Sequence, residues 1–119
     1  MTTLYGISNC DTIRKARRWL KENGIDYRFH DVREDGINEA LLSTWMQQLD
    51  WELLLNRRSS SWRQLPAATR DTVNPKTATG LMLQQPTIIK RPLLDHHGQL
   101  HLGFSAAQYD AIFHPDTPA

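Results

Sequence analysis

The chain has 119 residues, 39% of them hydrophobic and 23% charged, with a formal net charge of +1 at pH 7. That length suits one domain with a core that needs no cross-links, and so small a net charge gives no global field to draw nucleic acid or a membrane surface. The single cysteine excludes an intramolecular disulfide, and no apolar run approaches the roughly 20 residues that span a bilayer.

Met1 to Tyr5 carries no basic segment leading into a long apolar stretch, so no signal peptide is expected and a cytoplasmic, reducing compartment is the expected setting. Thr3-Leu4-Tyr5-Gly6-Ile7 reads as a short buried strand. A polar loop, Ser8-Asn9-Cys10-Asp11, leads into a helix over about 12–23, where Ile13, Ala16 and Leu20 recur at the spacing of one helix face. Asn23-Gly24 stops it. The thiol of Cys10 therefore sits where a helix begins. Unpaired backbone N–H groups and the positive end of the helix dipole favour a thiolate at such a position, which makes Cys10 a candidate nucleophile. A small buried cysteine is the alternative, and the polar neighbours argue against it. The opposite helix face holds Arg14, Lys15, Arg17, Arg18 and Lys21, a solvated face or a surface for a partner.

Residues 25–32 alternate apolar and polar, as a half-buried strand does, so 3–32 form a β-α-β unit with a parallel pair. Arg33-Glu34-Asp35-Gly36 is a turn. Leu41, Leu42, Trp45, Met46 and Leu49 mark a helix over 38–49, and Trp51 to Leu55 a short one. Residues 56–61 are a polar loop, and Trp62 to Leu65 reads as the start of a short turn. Asn74-Pro75 opens a helix that runs to Gln85, weakened by Gly80 by about 1 kcal/mol. After Gln85-Pro86, residues 87–94 read as an extended apolar segment that Pro92 must bend, end or place at an edge. His96-His97-Gly98 turns the chain into a short strand at 100–102, so that 87–102 form a hairpin. Ser105 caps a last helix to Phe113, and 115–119, with Pro115 and Pro118, reads as a flexible tail.

The order is β-α-β, a helical insertion over about 36–85, then β-β-α. This is the α/β layout of a thioredoxin-like fold with a mixed sheet, expected as a single domain over 1–114. His96, His97 and His101 lack metal-ligand spacing, so no metal is expected. Trp19, Trp45, Trp51 and Trp62 fall mostly on helix faces and read as core or partner-surface residues, not as a platform for bases; no direct nucleic-acid contact is expected.

Four stretches in order carry a resemblance: the Cys10 loop running into Thr12-Ile13-Arg14-Lys15, then Leu55-Asn56-Arg57-Arg58-Ser59, Lys90-Arg91-Pro92, and Gly103-Phe104-Ser105. The chain resembles the arsenate reductase family that also includes the Spx regulators. The resemblance implies a thioredoxin-like fold with a helical insertion, a nucleophilic cysteine at Cys10, and glutathione as a co-substrate with no bound cofactor. It further implies an active-site arginine at Arg58, with Arg57 or Asn56 as alternative aligned positions, and a second arginine, Arg91, beside a cis-proline at Pro92. Three positions depart from the family pattern. Gly6 stands where the reductases have a histidine, Gly103 where they have a third arginine, and Ile13 where Spx regulators carry a second cysteine.

With no second thiol, a mixed disulfide on Cys10 must be resolved by an outside thiol. The expected function is a glutathione-dependent thiol or oxyanion reductase working through a monothiol cycle. Its partners would be glutathione, a small oxidised thiol or oxyanion, or a protein disulfide. The alternative is an Spx-like binding module that contacts RNA polymerase without a redox disulfide switch.

Overall fold

The computed structural model describes residues 1–115. Its elements are β1 (Thr2–Gly6), α1 (Asp11–Glu22), β2 (Arg28–Asp31), α2 (Glu39–Gln48), α3 (Trp51–Leu54), α4 (Ser60–Arg63), α5 (Ala67–Asp71), α6 (Pro75–Gln84), a 3-10 turn (Pro86–Ile88), β3 (Leu93–His96), β4 (Gln99–Leu102) and α7 (Ala106–Phe113). The strands lie in the order β2-β1-β3-β4. β1 runs parallel to β2 and antiparallel to β3, and β3 and β4 form an antiparallel hairpin. This is the mixed-sheet, thioredoxin-like arrangement expected from the order of the elements.

Side chains on successive strand residues point to opposite faces, and β3 divides the core accordingly. Leu93 joins Ile7, Val32, Leu42, Trp45, Leu54, Trp62, Met82 and Ile88, the apolar cluster supplied mainly by the insertion. Its neighbour Leu94 joins Leu4, Ala16, Leu20 and Tyr109 on the α1 and α7 side. Side-chain caps fix five of the helix starts: Asn38 accepts from the Leu41 N–H, Asp50 from the Glu52 N–H, Ser59 from the Trp62 N–H, Asn74 from the Thr77 N–H in a reciprocal capping box, and Ser105 from the Gln108 N–H.

Several boundaries differ from the sequence reading. β2 begins at Arg28, not Ile25, because the chain leaving α1 is still folding back: Gly24 has φ +65 and the Ile25 N–H bonds to Leu20 O. The extended segment expected over 87–94 is strand only from Leu93, and the hairpin spans 93–102. Pro86 opens the 3-10 turn, which closes with the Ile89 N–H on Pro86 O, and Pro92 has no N–H to give a ladder. Before that proline the chain pairs elsewhere. Ile89 bridges Leu55, with the Lys90 N–H on Leu54 O at 2.7 Å and the Asn56 N–H on Ile88 O at 2.8 Å. Helix α5 was not expected; it buries no side chain, so no apolar periodicity announces it. The tail expected at 115–119 lies, beyond Pro115, outside the described residues.

β2 ends on Asp31, which is 2% exposed. Its carboxylate accepts the backbone N–H groups of Arg33 (2.8 Å) and Glu34 (3.1 Å) on Oδ1 and of Ser8 (3.1 Å) on Oδ2. Burial pushes its pKa up, but these N–H groups and the Arg33 charge outweigh burial and hold it below the ordinary carboxylate value. A depressed folded-state pKa means that the stabilisation is complete above the unfolded-state value of about 3.9 and is lost as pH falls through the folded-state value. Asp31→Asn is therefore expected to lower stability by about 2 kcal/mol at neutral pH, the scale of hydrogen bonds to a charged group. Urea midpoints followed against pH should show the two proteins converging below about pH 4.

Candidate functional site: a thiol at the start of the first helix

The parallel β1–β2 pair carries the chain to the end of the sheet, where Ile7 is buried, Ser8 and Asn9 are exposed, and Cys10 becomes the N-cap of α1 in an extended conformation (φ −110, ψ 129). The Cys10 carbonyl accepts the Arg14 N–H at 3.0 Å, starting the helix ladder. Its sulfur occupies the position of a capping side-chain oxygen. It makes no formal cap hydrogen bond, yet the N–H groups of Ile13 and Thr12 act on it. Cys10 is half-buried, and burial alone pushes the thiol up. The Ile13 N–H, a hydrogen bond from the Arg91 side chain, the Thr12 N–H and the charge of Arg91 together outweigh that and set the thiol below its ordinary value.

Arg91 reaches the thiol from the other half of the molecule. Its Nη1 donates to Thr87 O at 2.7 Å, with a longer contact to Ile89 O at 3.5 Å, which tethers the guanidinium to its own loop. Its Nε is buried and has no hydrogen-bond partner among the described residues. The Arg91–Pro92 peptide is cis, as the resemblance implied. Pro92 is fully buried, and its carbonyl accepts the Gly103 N–H at 2.9 Å.

Arg58 is placed differently. The Leu55–Ile89 bridge lays its loop alongside the segment leading to Arg91, and the Arg58 N–H is held by Asn56 Oδ1 at 3.0 Å. The residue is exposed, and Arg91 is the arginine that acts most strongly on the Cys10 thiol. Arg57, the alternative, stacks over the Trp62 ring at 5.7 Å. The structure thus brings Cys10 and Arg91 together, with Pro92 next in the chain, and leaves Arg58 facing solvent nearby.

The two glycines in the departures differ physically. A Cβ on Gly6 would collide with the side chain of Ile13, so Ile13 fills the space above residue 6. At Gly103 a Cβ would meet nothing within 4 Å, but φ is +80, which L side chains adopt only with strain. Ile13 is itself fully buried, packed where α1 approaches the end of β1.

Sequence reasoning missed Asp31. Its signal was present: it shares the parity of Ile25, Tyr27 and Phe29, the inward-facing set of that alternation, and is the polar member of it. The histidine cluster lies at the far end of the sheet, where Thr2 pairs with His96. There the His96 and His97 rings are 4.2 Å apart and Thr2 Oγ1 bonds His96 Nδ1 at 2.8 Å. A cavity of about 580 Å³ opens beside them, lined by Ile25, Arg28 and Phe113 among others, away from Cys10. Among the described residues no group of three His, Cys, Asp or Glu side chains could hold a metal ion.

A mixed sheet with a half-buried thiol capping its first helix and a cis-proline after the facing arginine defines a thioredoxin-like protein. A model described as the ArsC family matches residues 5–112, and the chain belongs to that family. A solved structure of a protein called YFFB is similar to it at a TM-score of 0.88 and 40% identity, covering 93% of this chain and 97% of that one. An arsenate reductase (ArsC) related protein from Brucella melitensis is 46% identical at a TM-score of 0.78, covering 94% and 93%. An uncharacterized protein of Haemophilus influenzae is 38% identical over 95% of this chain and 99% of its own length. Global transcriptional regulators called Spx are more distant, that of Enterococcus faecalis being 27% identical over 88% of this chain and 80% of its own.

Two outcomes follow from this geometry. Arg91→Met should raise the Cys10 pKa by about one unit, with a correspondingly slower alkylation by iodoacetamide at pH 7; rate–pH profiles of the two proteins measure it. Gly6→Ala should destabilise the fold by about 1–3 kcal/mol through overpacking against Ile13, read as a lower urea midpoint.

Proposed function

We propose that this protein is a glutathione-dependent thiol or oxyanion reductase in which Cys10 is the nucleophile of a monothiol cycle. The observation that carries the reading is the Arg91 guanidinium, which lowers the pKa of the Cys10 thiol while its own buried Nε remains without a partner among the described residues. A thiolate needs a stabilising cation, and an incoming anionic substrate needs a donor fork; one arginine offers both.

In the thiol-reductase form of the cycle, the Cys10 thiolate attacks the glutathione sulfur of a mixed disulfide. The S–S bond breaks, the other thiol leaves as its thiolate, and a Cys10–glutathione disulfide forms. A second glutathione thiolate then attacks the glutathione sulfur of that disulfide, releasing glutathione disulfide and restoring the Cys10 thiolate. Overall, one glutathione thiol and the mixed disulfide are converted into glutathione disulfide and the free partner thiol. The chain contributes no second cysteine, so the outside thiol completes the turnover. Arg91 would bind a carboxylate of glutathione or an oxyanion, the cis-Pro92 turn would shape the groove, and Arg58 on the neighbouring loop would add a second cation. Residues 1–114 would act as one domain in a reducing, cytoplasmic setting, with no resident metal or cofactor.

A second reading is favoured by the α1 surface. Arg14, Lys15, Arg17, Arg18 and Lys21 are all exposed on one helix. Arg17 is ordered, with Nε donating to Tyr27 OH at 3.0 Å and the guanidinium 4.2 Å over the Phe29 ring. Such a face suits a protein partner, as in an Spx-like module contacting RNA polymerase.

The readings separate on one substitution. Wild-type protein, offered glutathione and the mixed disulfide of glutathione with 2-mercaptoethanol, should turn over, and intact mass should show one glutathione per trapped chain. Cys10→Ser should abolish both. Retained turnover in Cys10→Ser contradicts the reductase, whereas partner capture that survives Cys10→Ser, with no turnover by wild type, supports the binding module.

A further inference from the structure

Residues Ser8 and Asn9 carry exposed side chains on a loop, yet the thiol that follows them must stand within reach of Arg91 and the α1 N–H groups. Two contacts from the turn after β2 restrain this loop. One is the Asp31 carboxylate on the Ser8 N–H, at 3.1 Å, and the other is Arg33 Nη2 donating to Asn9 Oδ1 at 3.0 Å. The two oxygens of Asp31 divide the work. Oδ1 takes the N–H groups of Arg33 and Glu34 and so shapes its own turn, while Oδ2 takes Ser8. The turn is itself braced, since the Asp31 N–H donates to Asp35 Oδ2 at 2.9 Å and the Asp35 N–H to Asp31 O at 2.7 Å. The Val32 N–H donates to Gly6 O at 2.9 Å, which carries the β1–β2 pairing to the point where the loop departs.

We infer that Asp31 is a positioning residue for the Cys10 thiolate: its buried carboxylate, rigid in the braced turn, holds the Ser8 amide and thereby fixes the angle at which the loop enters α1. It touches no substrate. It acts through two residues of backbone, and a loop freed at Ser8 lets the sulfur leave the small region where the Ile13 and Thr12 N–H groups and Arg91 all reach it. The carboxylate is suited to this task because it accepts on both oxygens. An asparagine of the same shape has one acceptor and one NH₂ donor, and cannot serve Ser8 and the turn together. The charged groups about Asp31 are Arg33, Glu34 and Asp35 of its own turn; the charge that acts on the thiol is Arg91, and the exposed Asp11 and Arg14 that follow Cys10 in α1 pair with each other at 2.7 Å.

This role rests on Cys10 being the reactive thiol of the proposed function, and its test is separable from that reading because it measures the thiol and the loop, not turnover. In wild-type protein, amide exchange followed by NMR should show the Ser8 N–H protected although the residue is exposed. Asp31→Asn, shown folded by circular dichroism, should lose that protection. Its Cys10 alkylation by iodoacetamide at pH 7 should fall by about tenfold, with the midpoint of the rate–pH profile displaced upward by about one unit. Arg33→Ala, a change at an exposed site, should displace the midpoint the same way by less, and it keeps the test alive if Asp31→Asn does not fold. A Ser8 amide exchanging freely in wild type would overturn the inference, as would a folded Asp31→Asn variant with an unmoved midpoint. If Cys10→Ser retains reductase turnover, the proposed function fails while the exchange and alkylation results still decide the role of Asp31.

Discussion

A thiol does useful chemistry near neutral pH only when its anion is stabilised, and here that stabilisation comes from the meeting of Cys10 with Arg91 at the start of α1. The two residues lie at opposite ends of the sequence, so the contact exists only because the sheet forms. β1 delivers the thiol, and its antiparallel neighbour β3, entered through the cis-Pro92 turn, delivers the guanidinium. Burial opposes the charged form at this site, and the balance tips toward thiolate because two backbone N–H groups and one arginine act together. Each part of the surrounding architecture can be understood as holding one of these groups in place.

The close approach of α1 to β1 shows the constraint at atomic scale. Gly6 has no Cβ, and the Ile13 side chain occupies the space a Cβ would take, which brings the first turn of the helix down onto the strand end. The same exchange removes room for a larger side chain at residue 6. The thiol therefore depends on N–H groups and Arg91 instead of on a neighbouring imidazole. The insertion contributes from the other side: α3 and the loop after it pair with the segment before Arg91 through Leu55 and Ile89, so the helices that cover one face of the sheet also steady the arginine's backbone.

Much of this was legible in the sequence for identifiable reasons. The position of Cys10 between an apolar run and a 3.6-residue pattern declared the strand–loop–helix step, and Asn74 and Ser105 announced helix starts that the structure caps with those side chains. Elements without a pattern were not legible. Helix α5 has no buried residue to set an apolar period, and the three residues Pro86-Thr87-Ile88 are too few to tell a 3-10 turn from extended chain. Where Arg58 points was also beyond reach, since local sequence does not set the rotamer of an exposed arginine. Asp31 lay between these cases. Its inward parity was visible, but the partners that make a buried carboxylate tolerable come from the Cys10 loop and the following turn, which meet only in the folded chain.

Because the chain has one cysteine, the ultraviolet absorbance of its thiolate reports on Cys10 alone once the Cys10→Ser background is subtracted. A pH titration of that signal in the wild-type protein tests the central claim directly. The account predicts a midpoint below the ordinary free-thiol value of about 8.5. A midpoint at or above that value would mean that burial prevails over Arg91 and the helix N–H groups, and would contradict it.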